Sequence, residues 1–130
     1  MSTPEVIVAD KLPKPVGPYS LAKKVDGLIF TAGQIPLNPA TGQLVSADFE
    51  QQVRQILDNL RVLLAAANSD LQHVIKCTVF LTNLDNFATL NRVFSEYFAQ
   101  NPPARSAVQV SRLPLNAQVE IEAIAVEKHD

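Results

Sequence analysis

The chain has 130 residues, of which 47% are hydrophobic and 18% are charged, and its formal net charge is -2. This size is typical of one hydrophobic core, and we predict a single domain over residues 1–130. Its cations are scattered, and no stretch approaches the roughly 20 apolar residues that cross a bilayer, so neither nucleic acid nor a membrane is an expected partner. The beginning of the chain matches no secretory or transit signal, which predicts a cytoplasmic protein.

The cysteine and histidine content indicates no metal site and no covalent catalysis. Cys77 has no cysteine partner, and His73 and His129 stand far apart without a second ligand at metal spacing. No serine or cysteine belongs to a recognisable catalytic motif, and there is no glycine-rich phosphate loop. We therefore interpret Cys77 as a buried hydrophobe. The remaining possibility is catalysis by positioning of a ligand, with an acid or base acting through water.

The N-terminal part predicts a hairpin followed by an irregular loop. Asp26-Gly27 is a hairpin-turn signal between residues 19–25 and the β-prone segment 28–33. The prolines and glycines of residues 33–42 exclude regular structure. We expect an ordered loop there, of the kind that often lines a binding site.

Two amphipathic helices are predicted. From Ala47 to Ala67 apolar residues recur every three or four positions, with Ser46 as the N-cap. The second helix begins at a cap provided by Asn83 or Asp85 and ends at Asn101-Pro102-Pro103, because proline cannot continue a helix. Its apolar stripe consists of Phe87, Leu90, Phe94 and Phe98.

Three further strands complete the predicted elements: one from His73 to Leu81, one through Arg105 and one through Glu120, the last two joined around residues 113–116. The order strand, strand, helix, strand, helix, strand, strand predicts an α+β fold with both helices on one face of a sheet. Because the strands are apolar on both faces, we expect an oligomer built sheet against sheet.

Arg105 is the most informative residue, since it places a cation in an otherwise apolar strand. Strand alternation puts Ala107 on the same face, where its small side chain leaves room beside the guanidinium. The next strand projects Glu120 and Glu122 together, one predicted hairpin away. A guanidinium fork near a carboxylate suits a site that holds a small carboxylic acid beside a water molecule.

Position alone favours a structural interpretation for Arg105 and for Tyr19, and leaves it open for Glu122. Arg105 can form a structural ion pair with a glutamate at a sheet edge or a subunit contact. Glu122 can be purely structural, and Tyr19 is more typical of a core aromatic than of a hydroxyl donor at a cleft. Residue types and spacing leave these alternatives open.

Five segments carry a more specific pattern: Gly17-Pro18-Tyr19, Thr31 to Pro36, Asn83 to Asn91, Pro103 to Ser106, and Val119 to Glu122. Together they make the chain resemble the RidA family of reactive imine and enamine deaminases, from about residue 15 to residue 126. The resemblance implies a chorismate-mutase-like α+β fold with a six-stranded mixed sheet and two helices on one face. It also implies a homotrimer with three clefts between subunits.

The resemblance further implies a site and a reaction. Arg105 would bind the substrate carboxylate through a two-pronged salt bridge, and Glu120 would orient or activate the attacking water. The other implied substrate-binding residues are Gly33 and Ala107, through their backbone N–H groups, with Tyr19 and Asn91. The implied reaction converts 2-imino acids, such as 2-iminopropionate and 2-iminobutyrate arising from 2-aminoacrylate-type intermediates, to 2-keto acids and ammonia, without a cofactor.

Two positions depart from the family pattern. Ala32 stands where many members have serine, and Ala107 stands where many have cysteine. Neither change removes a backbone donor. Loss of the hydroxyl is expected to shift substrate preference, and loss of the thiol excludes redox regulation at that position.

Other functions are compatible with the same resemblance. A non-catalytic regulator could use the cleft to bind 2-keto acids or related small carboxylates, and family members have been described as translation inhibitors with ribonuclease activity and as chaperones. The net charge of -2 and the absence of a basic stripe argue against the nucleic-acid role.

Overall fold

The computed structural model describes residues 3–129, and their strands form one six-stranded sheet. The strands are β1 (Glu5–Ile7), β2 (Ala22–Val25), β3 (Leu28–Thr31), β4 (Val74–Leu81), β5 (Ala104–Gln109) and β6 (Val119–Val126). The helices are α1 (Phe49–Ala66) and α2 (Phe87–Tyr97), and three single 3₁₀ turns cover Leu71–His73, Leu84–Asn86 and Pro114–Asn116. The predicted α+β class, with a six-stranded mixed sheet and two helices, is confirmed. The residue patterns alone missed β1, which is only three residues long.

The strand order β1-β2-β3-β6-β4-β5 corrects one expectation. The strands through Arg105 and Glu120 do not form a hairpin, because β4 lies between them, parallel to β5 and antiparallel to β6. A parallel pair needs a long crossover, and α2 supplies it between β4 and β5. β5 therefore sits at the sheet edge, whereas β6 is central, between β3 and β4.

The predicted hairpin between β2 and β3 is confirmed. The two strands pair antiparallel through Val25 and Leu28. Asp26 (φ 51°) and Gly27 (φ 80°) both adopt the left-handed conformation that the tightest two-residue turns require.

The hydrophobic core lies between the helices and one face of the sheet. Along β6 the side chains of Val119, Ile121, Ala123 and Ala125 are buried, and those between them are half-exposed. Helix α1 contributes the fully buried residues Val53, Ile56, Leu57, Leu60, Leu63 and Leu64. Cys77 is also fully buried in this core, as the sequence predicted.

The capping residues at which the helices begin differ in detail from those that the sequence predicts. Asp48, rather than Ser46, is the N-cap of α1, because its carboxylate accepts a hydrogen bond from the Gln51 N–H at 3.0 Å. Ser46 instead accepts from the Asp48 N–H at 2.9 Å. Asn83 caps the 3₁₀ turn that leads into α2, accepting from the Asp85 N–H at 2.9 Å.

The sheet face opposite the helices is not covered within one chain. Strand registers place several apolar side chains on this open face: Phe30, Phe80, Val108, Ile124 and Val126. Phe30 and Val108 are 43% and 45% exposed. An apolar face of this kind supports the expected sheet-against-sheet oligomer, which stays a prediction. Within residues 3–129, neither helix is both long and apolar enough to cross a membrane.

Candidate functional site

Arg105 lies on the helix-covered side of the edge strand β5. Its register partner on β4 is the buried Cys77, so its side chain shares the face that carries the helices. The guanidinium carbon sits 5.2 Å from the ring centre of Phe87 and 4.9 Å from that of Phe94. Nη2 of Arg105 donates to Oδ1 of Asn91 at 2.7 Å. Helix α2 therefore holds the cation by stacking and by one hydrogen bond.

The charge of Arg105 is not compensated by a salt bridge within residues 3–129. An ion pair with a glutamate of the same chain is thus not the reason for this arginine. Burial lowers the pKa of Arg105, but a guanidinium stays protonated at neutral pH. Burial also raises the pKa of the neighbouring Cys77 thiol to about 12, so that thiol is neutral and supplies no counter-charge.

A first cleft, of about 460 Å³, opens beside this guanidinium. Its lining includes Arg105, Asn91 and the apolar residues Phe94, Phe98, Pro102 and Pro103. We refer to it as the arginine cleft. It offers one fixed cation in apolar surroundings, which suits a small organic anion.

The backbone of β5 contributes donors at the same edge. The Val110 N–H donates to the Leu81 carbonyl of β4 at 2.7 Å. Backbone groups alternate in direction along a strand, so the N–H groups of Arg105 and Ala107 point away from β4, toward the open edge. The Ala107 N–H is thus directed to the open edge of the sheet, and its role in ligand binding stays a prediction.

Glu120 lies on the other side of the sheet. Its register partner is Phe80, and its neighbours Val119 and Ile121 are the residues that face the helices. A Cβ built on Gly33 would stand 2.8 Å from Cδ of Glu120, so the carboxylate occupies the space that any other residue would fill at position 33. The pKa of Glu120 is raised, first by burial and second by the charge of Glu122.

The loop after β3 brings Gly33 to this carboxylate. Gln34 and Ile121 exchange two backbone hydrogen bonds, of 2.8 and 3.0 Å. Just before them, the Thr31 hydroxyl accepts from the Ala123 N–H at 3.0 Å, in place of a regular ladder bond. This irregular pairing anchors the loop to β6 one residue away from Glu120.

A second cleft, of about 800 Å³, contains Glu120 and Gly33. We refer to it as the glutamate cleft. Tyr19 lines it and is 51% exposed, so the interpretation of Tyr19 as a core aromatic is wrong. The lining also includes Asn59, which sequence reasoning missed. The available signal was a polar residue on the apolar stripe of α1.

The structure does not bring Arg105 and Glu120 together within one chain. They face opposite sides of the sheet and stand two strands apart. Their register partners on β4, Cys77 and Phe80, are separated by three positions. Strand spacings put their Cα atoms about 14 Å apart. The predicted residues thus fall into two groups: Arg105, Ala107 and Asn91 in one place, and Glu120, Gly33 and Tyr19 in another.

The described residues offer no ready metal site. Within residues 3–129, no three histidine, cysteine, aspartate or glutamate side chains lie close enough to share a metal ion. What the two clefts offer instead is a cation, backbone donors and a carboxylate with a raised pKa. These groups can bind an organic acid and transfer a proton.

Comparison with known proteins identifies the family. Residues 9–127 match the family model described as Endoribonuclease L-PSP, which covers the RidA proteins. The chain belongs to this family.

Relatives of the RidA family share almost the whole chain. A RutC family protein of Pyrococcus horikoshii is 49% identical over 95% of this chain and 98% of its own length. The human protein named 2-iminobutanoate/2-iminopropanoate deaminase is 43% identical over 94% of this chain and 89% of its own. The crystal structure of E. coli TdcF with bound serine superimposes with a TM-score of 0.89 at 40% identity, covering 95% of this chain and 99% of that one.

Proposed function

We propose that this RidA family member is a deaminase that hydrolyses reactive 2-imino acids to 2-keto acids and ammonia. The observation that carries the proposal is Arg105, a cation held by Asn91 and two phenylalanines and without a salt bridge in the described chain. The human relative, named as an imine deaminase at 43% identity, supports the same activity. TdcF, solved with bound serine, supports a small amino or imino acid as ligand.

Arg105 would bind the substrate carboxylate through the planar fork of its guanidinium. One nitrogen, Nη2, is used by Asn91, which fixes the plane of the group. The outward N–H of Ala107 lies on the same strand edge and would donate to the same ligand. These contacts place the imine carbon in a fixed position, which is most of what a reaction with water requires.

Glu120 would accept a proton from the attacking water and return it to the substrate nitrogen. The carboxylate accepts a proton as water oxygen bonds to the imine carbon, and the electron pair of the C=N bond moves to nitrogen. Protonated Glu120 then returns this proton to nitrogen, which gives a carbinolamine with one hydroxyl and one amino group. The hydroxyl proton passes through Glu120 to the amine nitrogen, the C–N bond breaks, and NH3 leaves as the C=O bond forms. The raised pKa of Glu120 suits both halves of this exchange.

Since Arg105 and Glu120 lie apart in one chain, we propose that the complete site forms between two copies. The arginine cleft of one copy would face the glutamate cleft of the next, in the trimer that the family resemblance implies. The open apolar sheet face supplies the surface on which the copies would associate.

The activity is tested by generating 2-aminoacrylate with a pyridoxal-phosphate dehydratase and following pyruvate release in the presence of an imine trap. Wild-type protein is expected to accelerate release, and Arg105→Ala to abolish the acceleration. Arg61→Ala is the matched control, because Arg61 is exposed, pairs with Asp58 and stacks on Tyr97, and none of these residues lines either cleft. No acceleration by wild type, or full activity of Arg105→Ala, would refute the deaminase.

The shared site is tested by mixing two inactive variants. Arg105→Ala and Glu120→Gln, unfolded and refolded together, are expected to recover about a quarter of the wild-type activity, because one interface in four joins an intact arginine to an intact glutamate. Each variant refolded alone serves as the control. If the mixture stays inactive while its oligomers form, both groups must act from the same chain.

The family description favours a second candidate, an endoribonuclease. The net charge of -2 is a poor match to a polyanion, for which binding normally requires a basic surface. Incubation of purified protein with a labelled RNA at low salt separates the two. Cleavage that survives in Arg105→Ala would establish a ribonuclease site outside the arginine cleft.

A further inference from the structure

A buried asparagine interrupts the apolar face of α1 where that helix passes the glutamate cleft. Asn59 is 4% exposed, and its neighbours on the same stripe, Ile56 and Leu63, are fully buried. A polar amide in such a place is costly unless its hydrogen bonds are made. Asn59 makes them: Nδ2 donates to the Leu37 carbonyl at 2.8 Å, and Oδ1 accepts from Gln55 at 2.9 Å.

Leu37 belongs to the loop that carries Gly33. This loop is held to β6 at one point, through Gln34 and Ile121, and to α1 at another, through Leu37 and Asn59. Between the two anchors, the Leu37 N–H donates to the Ile35 carbonyl at 2.8 Å, which closes a tight turn. The Val45 N–H also donates to the Pro36 carbonyl at 2.9 Å, so the loop is tied to the residues that follow it, and Asn59 adds its attachment to α1.

We propose that Asn59 is a positioning residue, which fixes the loop of residues 33–42 so that the glutamate cleft is formed before the ligand arrives. The proposal rests on the proposed function, in that the ligand is taken to be a 2-imino or 2-keto acid bound between the two clefts. Asn59 itself acts through Leu37 and not on the reacting atoms.

The consequence of losing this anchor is specific. Without the amide donor the loop samples other paths, and the apparent affinity falls by the fraction of molecules that have the competent one. Once substrate is saturating, the loop is ordered again and the chemical step is unaffected. KM therefore rises while kcat is retained. A variant that merely lowers the amount of folded protein does the opposite, since it reduces the apparent kcat and leaves KM unchanged.

The experiment compares Asn59→Ala and Asn59→Leu with Ser69→Ala. Ser69 is the matched control, because it is 1% exposed and donates to the Val126 carbonyl at 2.6 Å, beyond the far end of α1 from the cleft. Three quantities are measured well below the unfolding temperature: KM and kcat for 2-iminobutanoate, the Kd of 2-oxobutanoate by calorimetry, and hydrogen exchange of the loop amides.

Loss of the hydrogen bond to the Leu37 carbonyl predicts a rise of about five- to tenfold in KM and Kd for both Asn59 variants, with kcat within about twofold of wild type. Exchange at Leu37 and Val45 should accelerate more than exchange in the core strands. Ser69→Ala should leave KM, Kd and the exchange of these two amides unchanged. An unchanged KM and Kd in the Asn59 variants, or an equal rise in Ser69→Ala, overturns the proposal.

If the proposed function is wrong, the binding and turnover measurements give a different pattern of results. A wild-type protein that binds 2-oxobutanoate without turning over the imine refutes the deaminase, and the Kd and exchange measurements then decide the role of Asn59. A wild-type protein that neither binds nor turns over these acids overturns both proposals.

Discussion

The carboxylate of Glu120 lies against the α-carbon of Gly33, in the space that a side chain at position 33 would need. Cδ of Glu120 would be 2.8 Å from a Cβ at that position, closer than carbon atoms approach without displacement. A side chain at position 33 would therefore have to displace the side chain of Glu120, and the constraint is steric, not conformational. It also couples the path of the loop to the orientation of the acid.

This contact predicts the effect of Gly33→Ala. The added methyl must displace Glu120 or the loop, and we expect a loss of about 1–3 kcal/mol of stability together with a roughly hundredfold loss of kcat/KM. Urea unfolding and the trapped-imine assay measure the two effects. The double variant Gly33→Ala with Glu120→Ala should regain most of the lost stability, because it removes the atoms that collide. Equal instability of the single and double variants would contradict the steric explanation.

The environment of Arg105 predicts a graded series of variants. Arg105→Lys keeps the charge but loses the planar fork, and kcat/KM should fall by at least about a hundredfold. Asn91→Ala keeps the fork and removes only its anchor, so a smaller loss of about tenfold is expected. Asn101→Ala is the control, since Asn101 bonds to the Gln72 carbonyl away from the guanidinium. An Asn91 variant as active as this control would show that the anchor is dispensable.

The pKa of Glu120 predicts the acid limb of the pH profile. Glu120 must be ionised to accept a proton, so activity falls as the pH falls through its pKa, which burial and Glu122 raise above the usual range of a glutamate. Glu122→Gln removes the charge of the second residue and should move the acid limb of kcat/KM to lower pH. The exposed Glu5→Gln on β1 is the control and should leave the limb in place. A shift to higher pH would contradict the assignment.

An ionic cluster between the helices predicts how stability depends on pH. Glu50 accepts from Arg92 at 2.6 Å and from Arg54 at 2.9 Å, and these hydrogen bonds lower its pKa from 4.5 to about 2. Because the folded pKa is depressed, the stabilisation is complete above about pH 4.5 and is lost as the pH falls toward 2. Glu50→Gln should therefore lower Tm at pH 7 and match wild type near pH 2. A difference in Tm that persists at pH 2 would indicate a role other than the ion pairs.

The sequence predicted the elements where a local pattern repeats. The amphipathic stripe of α1 and the turn at Asp26-Gly27 are properties of short segments, and the structure has both where they were expected. The α1 cap was misplaced by two residues because Ser46 and Asp48 are both good caps, and only the backbone geometry selects between them. Position alone favours a core site for Tyr19, because its exposure depends on what surrounds it and not on its own segment, and only the family resemblance predicts it in a cleft.

What the sequence by itself determined is the set of residue types that the proposed chemistry needs, with Arg105 and Glu120 on strands and Gly33 in an ordered loop. The tertiary structure decided where they lie: among the described strands β5 pairs only with β4, which leaves the arginine on an edge strand, and the strand registers put the glutamate on the opposite face. Strand order is set by long-range pairing and crossover geometry, which no local pattern encodes. For the same reason the sequence did not show that Asn59 on α1 holds the loop beside Glu120.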